Sequence, residues 1–168
     1  MRAGEKLSDD RDELAILYER DYARLVRFAA LMVGSVGDAE EIVQDAFVAA
    51  YRSLWRIRDQ DRLGAYVMRS VINGCRGSLR RKRHGRHQVI SEGVAGPDQS
   101  LSSVAVRRDM VAVLAKLPQR QREVMFLRYY LDQSEERIAR AMGITRGAVK
   151  THAARAAGNL RSLLEREK

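Results

Sequence analysis

Little in this sequence can be cross-linked, kinked or sent through a bilayer. Cys75 is the one cysteine, so neither an internal disulfide nor a multi-cysteine zinc site can form. A buried thiol in a reducing compartment is the expected state of Cys75, and a cytoplasmic location follows. Pro97 and Pro118 are the only prolines, and long proline-free stretches rich in Ala, Leu, Arg and Glu favour helix. Aromatic residues make up 6% of the chain, so the core must rest on Leu, Val, Ile, Ala and Met. No apolar run approaches the roughly 18–20 residues that span a bilayer, which excludes membrane insertion by a helix. Residues 1–13 are polar and densely charged and lack the apolar centre of a signal peptide.

What the chain has in excess is positive charge. Thirty-one Lys and Arg against 22 Asp and Glu leave a formal net charge of +9 over 168 residues. Such an excess points to a polyanionic partner, nucleic acid or an anionic surface. Composition alone does not choose between them.

Periodicity divides the chain into residues 10–83, a Gly- and Ser-containing linker over 84–103, and residues 104–168. Neither end segment alternates as strands do, so the expected fold is all-α, two small helical domains joined by a flexible linker. The first helix is predicted near Glu13–Met32, with Leu14, Leu17, Tyr18, Tyr22, Leu25, Phe28, Ala29 and Met32 on one apolar stripe. Gly34 and Gly37 are expected to break it. Asp38-Ala39-Glu40-Glu41 reads as a capping box opening the second helix. That helix would bury Ile42, Val43, Ala46, Phe47, Ala50, Tyr51 and Leu54, and expose Glu41, Gln44, Asp45 and Arg52. A third helix is predicted over Leu63–Arg83, with Tyr66, Val67, Ser70, Val71 and Leu79 facing inward. Gly74 and Gly77 each weaken it by about 1 kcal/mol relative to Ala, and a bend or break is expected there. It ends in Arg80-Arg81-Lys82-Arg83, with Arg76 and Arg86 nearby.

The sharpest local signal lies near the C-terminus. Leu117-Pro118 opens a helix with Pro in its first turn, and Val124, Leu127 and Leu131 follow as its apolar stripe. Ser134 can cap a helix over 135–142, Gly143 can supply a left-handed turn, and Thr145 can cap a final helix from Arg146. Counted from Glu135, Ala139 stands fifth, Gly143 ninth and Val149 fifteenth. The fifth must be small where two helices cross, the ninth needs positive φ, and the fifteenth fills the core between them. This is the helix-turn-helix arrangement. Its second helix would present Arg146, Lys150, Thr151, His152, Ala154 and Arg155, residues that can enter a major groove, where Arg and Lys pair with guanine edges or phosphates and Thr with either.

Asp38 to Phe47 (DAEEIVQDAF) resembles the region 2 signature of sigma-70 class sigma factors. Ala65 to Asn73 (AYVMRSVIN), followed by Arg80-Arg81, resembles the downstream promoter-reading part of that region. Leu117 to Val124 (LPQRQREV), Ser134 to Ala139 and the last helix resemble region 4. The short linker in place of a third domain is similar to the extracytoplasmic-function (ECF) group. The resemblance implies that Asp38, Glu41, Gln44 and Asp45 dock on the clamp helices of the RNA polymerase β′ subunit. It implies that Tyr66 and Asn73 read an unpaired base of the −10 element, while Arg76, Arg80 and Arg81 hold phosphates. It also implies that Arg146, Lys150, Thr151, His152 and Arg155 face the −35 element of promoter DNA, and that an anti-sigma factor regulates the protein. Tyr66 stands where the family often has Trp, and Gly74 and Gly77 replace better helix formers. His152 stands where a basic residue is common.

The alternative reading is a stand-alone helix-turn-helix regulator that dimerises on a palindrome; it leaves residues 10–83 without a role. An enzyme is not expected, since the sequence has no metal-ligand cluster, Gly-rich phosphate loop or nucleophile motif. His84 and His87 sit in a basic segment without carboxylate or thiolate neighbours and read as surface residues. No cofactor is expected.

Overall fold

The computed structural model describes residues 3–57, 60–84 and 112–166. All regular elements among them are helical, the expected class. The chain divides into two compact units, residues 1–90 and 91–168. Most of the expected linker, with Arg86 and His87, lies outside the described residues.

The first unit holds three helices, α1 (Ala3–Val33), α2 (Val36–Ser53) and α3 (Gln60–His84), each packed on the other two. Phe28, Met32, Val43, Val67, Val71, Ile72 and Cys75 are almost fully buried between them. α1 starts at Ala3, earlier than Glu13. It ends at Gly34, whose φ of +76° places it in the left-handed region that glycine enters without cost. The α2 cap differs from expectation. Ser35, extended at φ −147°, is the N-cap, and its Oγ accepts from the Asp38 backbone N–H at 3.2 Å. Asp38 instead sits in the first turn, where a carboxylate suits the helix dipole. Gly37 lies inside the helix and does not break it. A short 3₁₀ turn, Leu54–Arg56, closes α2.

α3 runs unbroken through Gly74 and Gly77, so the helix is not interrupted there. Gly74 sits where α2 crosses, and a Cβ there would stand 2.7 Å from Ile42 Cγ2. The missing side chain brings two helices together. Its packing return offsets the propensity cost, which only the local sequence registers. Two residues expected inside are outside: Tyr18 is 42% and Tyr51 51% exposed. In α3, Tyr66, Ser70 and Leu79 are only half-buried. Leu63, Ile72, Cys75 and Ser78 join Val67 and Val71 in the buried set.

The second unit begins its described part with a helical turn at 112–115. Pro118 is the residue before α4 (Gln119–Met125) rather than its first residue, and its carbonyl accepts the Arg122 N–H at 3.0 Å. α4 widens into a π-helical segment, Phe126–Tyr130, which periodicity did not signal. That segment closes with Leu131 N–H donating to the Phe126 carbonyl at 3.0 Å, and Asp132 reverses the chain at φ +52°. α5 (Glu135–Met142) and α6 (Arg146–Arg166) follow. Ser134 Oγ accepts from the Arg137 N–H at 3.3 Å, and Thr145 Oγ1 from the Ala148 N–H at 3.1 Å. Gly143 has φ +66°. All three local expectations are met. Val124, Leu127, Ile138 and Val149 are fully buried, with Ala139 also buried. Gln121, itself buried, accepts a 2.7 Å hydrogen bond from Asn159 and ties α4 to α6.

Candidate nucleic-acid and partner interfaces

α6 advances at about 3.6 residues per turn, which puts Val149, Ala153 and Ala156 on the arc that α4 and α5 cover. Arg146, Lys150, Thr151, Ala154 and Arg155 fall on the opposite arc, and all are exposed. His152 stands apart: it is half-buried at the edge of the covered arc. The Thr151 hydroxyl donates to the Gly147 carbonyl at 3.0 Å, so its oxygen lone pairs are what it offers outward. Small Ala154 at the centre of the arc leaves the long cations around it room to reach a groove. The N-terminal turns of α6 thus form a convex, cationic ridge of the kind that enters a major groove.

α3 carries a second basic stripe. Tyr66, Asn73, Arg76 and Arg80 share one side of the helix, away from the arc of Val67, Val71 and Cys75. Asn73 and Arg80 are exposed, while Tyr66 and Arg76 are half-buried. Tyr66 is anchored, with its hydroxyl 3.1 Å from Ser53 Oγ at the end of α2. That contact restricts the rotamers of the ring. Arg81 does not join this stripe. It turns toward α2 and lines a recess with Asp38, Glu41, Asp45 and Lys82. Lys82 is spent inside the unit: its ammonium donates to the Val33 carbonyl at 3.0 Å and pairs with Asp38 at 2.8 Å. One side chain from α3 thereby holds the end of α1 and the start of α2. His84 is exposed at the end of α3, its Nδ1 2.8 Å from the Arg80 carbonyl.

The outer face of α2 carries Glu41, Gln44 and Asp45, all exposed. Asp38 lies at its edge, half-buried on Lys82. Gln44 Nε2 donates to the Tyr22 hydroxyl at 3.4 Å. The structure adds residues that sequence reasoning missed. Val48 and Tyr51 continue the same stripe and are exposed, and Trp55 just beyond is 70% exposed. On α1, the exposed Tyr18 has its ring centroid 5.0 Å from that of Phe47, edge-on, and 4.6 Å from that of Tyr22. Acidic at one end and apolar at the other, this face exposes large side chains that a solvated helix face does not need. The signal was available: Val48 follows Gln44 by four and Asp45 by three, the spacing of one helix face.

Among the described residues, no group of His, Cys, Asp and Glu is arranged to hold a metal ion. No described helix is long and apolar enough to cross a membrane.

Known proteins match both units. The family model for sigma-70 region 2 matches residues 17–85, and that for sigma-70 region 4 matches residues 107–160. The chain is 31% identical to the RNA polymerase sigma factor CarQ of Myxococcus xanthus, over 92% of this chain and 90% of that one. It is 28% identical to the ECF RNA polymerase sigma factor SigM of Mycobacterium tuberculosis, over 94% of this chain and 80% of that one. In fold it is similar to the sigma factor RpoE of Bartonella quintana, solved in complex with the anti-sigma factor NepR. The TM-score is 0.68 at 23% identity, covering 95% of this chain and 99% of that one. The region 2 match covers the helices that carry the α2 face and the α3 stripe, the region 4 match covers the helix-turn-helix, and the chain belongs to the ECF group of the sigma-70 family of RNA polymerase sigma factors.

Proposed function

We infer that this sigma factor binds core RNA polymerase through α2 and directs initiation by reading two promoter elements with its two units. Residues 10–83 form the polymerase-docking and −10-reading domain, residues 84–103 the linker, and residues 104–168 the −35-reading domain. Glu41, Gln44 and Asp45 meet the β′ clamp helices, Val48, Tyr51 and Trp55 extend that contact, and Asp38 sets the corner at its edge. Tyr66 and Asn73 receive an unstacked base of the −10 element, with Arg76 and Arg80 on the phosphates; Arg81, turned toward the acidic residues of α2, stands outside that set. Arg146, Lys150, Thr151 and Arg155 face the −35 duplex, with His152 at the margin. The observation that carries this reading is the pairing, in one chain, of a cationic helix-turn-helix with a second unit exposing an acidic and apolar helix face. A stand-alone regulator has no use for that face.

The work divides physically. Extracting a base costs a few kcal/mol, and a pocket that fits one base recovers it selectively. The −35 contact is made to intact duplex. Joined by one chain and held on polymerase, two weak contacts act at high effective concentration. Promoter selectivity therefore belongs to the polymerase complex. The protein acts in the cytoplasm, as a binding factor and not an enzyme. The exposed side chains of α2 also suit an anti-sigma factor, the class of partner held by RpoE of Bartonella quintana.

Transcription from a promoter library by core polymerase, with and without this protein, tests the reading. New start sites sharing two spaced motifs are expected. Absence of both new initiation and core binding would leave the stand-alone regulator. Arg155→Ala should cost about 1–3 kcal/mol at a −35 site where it meets a base edge. An equal loss on every −35 variant would mark a phosphate contact instead. Asp45→Lys should weaken core binding in a pull-down by on the order of 1 kcal/mol with unchanged melting temperature. Undiminished core binding would sink the docking assignment.

A further inference from the structure

One carboxylate stands close to the mouth of the helix-turn-helix. Glu135, the first residue of α5, points one oxygen at Arg128 Nη1, 3.5 Å away on the π segment. Its other oxygen lies 3.9 Å from Lys150 Nζ on α6. Two cations from different elements thus converge on one acid. The Glu135 side chain is 24% exposed and that of Lys150 65%, so the anchor is held in the scaffold while the lysine reaches outward. Neither capping nor the neighbouring acid explains the arrangement: Ser134 Oγ caps α5, and Glu136 is paired with Arg140 on the same helix.

An acid beside a DNA-facing lysine opposes the approach of phosphates, and affinity alone would disfavour it. We propose that Glu135 is a positioning residue for Lys150 and a determinant of specificity, lowering sequence-independent attraction to sharpen discrimination at the −35 element. A free lysine ammonium on a flexible four-carbon stem goes to the nearest phosphate, and phosphate contacts carry no sequence information. With the Glu135 carboxylate 3.9 Å away, the ammonium is biased toward one direction and part of its charge is compensated. This rests on the DNA-facing assignment of α6 made above.

The test uses core polymerase loaded with the wild-type protein, E135Q, K150Q or the double variant E135Q/K150Q. Binding is measured on promoter DNA with the selected −35 element and with a scrambled one, across a salt series. E135Q is expected to bind scrambled DNA several-fold more tightly and to narrow the ratio between the two DNAs. It should also steepen the log–log salt dependence by about one unit, the signature of one more phosphate contact. In the K150Q background the same change should do neither. An E135Q effect that persists without Lys150, an unchanged salt slope, or weaker binding by E135Q would each overturn the proposal. A variant that folds poorly binds less, the opposite sign from that expected. The underlying reading fails separately: Arg155→Ala that leaves both affinity and −35 discrimination intact would remove α6 from the DNA, whatever Glu135 does.

Discussion

Replacing Val149 with Asp is expected to unfold the second unit and abolish −35 recognition. Val149 is fully buried on α6, where that helix packs on both α4 and α5. Leu127, Ile138 and Ala139, buried apolar residues of the same unit, offer no polar side-chain partner. An ionised carboxylate placed there loses its hydration with no partner gained, a cost of about 4 kcal/mol or more. That is comparable with the whole stability of a small domain, about 5–15 kcal/mol. Val149→Thr replaces one methyl by a buried hydroxyl at nearly the same volume and should cost about 1–3 kcal/mol. Urea unfolding followed by circular dichroism, with −35 duplex binding in the polymerase complex, measures both. A folded Val149→Asp protein with wild-type binding would show that α6 does not seat through this residue.

Phe28→Ala should destabilise the first unit by about 3–5 kcal/mol. The chain has three phenylalanines, and Phe28 is completely buried. Ala29, Ala30 and Met32 are buried alongside it on α1, and the small neighbours leave Phe28 to supply the volume of that layer. Truncation removes the largest apolar side chain from the face of α1 that supports α2 and α3. The polymerase-facing stripe of α2 loses its backing at the same time, so core binding should fall with melting temperature across a Phe28→Leu, Phe28→Ala series. A melting temperature shifted by no more than a surface substitution would mean that the layer collapses to fill the cavity.

Much of the interface was legible in sequence because helix faces follow from spacing. Glu41, Gln44 and Asp45 are exposed, as are Asn73, Arg80, Arg146, Lys150, Thr151 and Arg155. The stripe Leu14, Leu17, Leu25, Phe28 is buried. Exceptions fall at stripe edges. Tyr18 and Tyr51 are apolar enough to read as core, yet each is left partly exposed at the margin of its stripe. His152 reads as outward but lies at the margin of the covered arc.

The helix-turn-helix was determined by the sequence alone, because its requirements are local: an oxygen at Ser134 and Thr145 for orphan N–H groups, positive φ at Gly143, small volume at Ala139. The all-helical class followed likewise from periodicity. What only the tertiary structure decided involves partners distant in the chain. Gly74 reads as a weak point in α3 until Ile42, 32 residues earlier, is found against it. Lys82 reads as one more cation of a basic run until it is found holding Val33 and Asp38. Glu135 reads as an ordinary first-turn acid until Arg128 and Lys150 converge on it. Propensity and capping act over one turn of chain and can be read along it, whereas close approach and charge pairing depend on distances that exist only after the helices have packed.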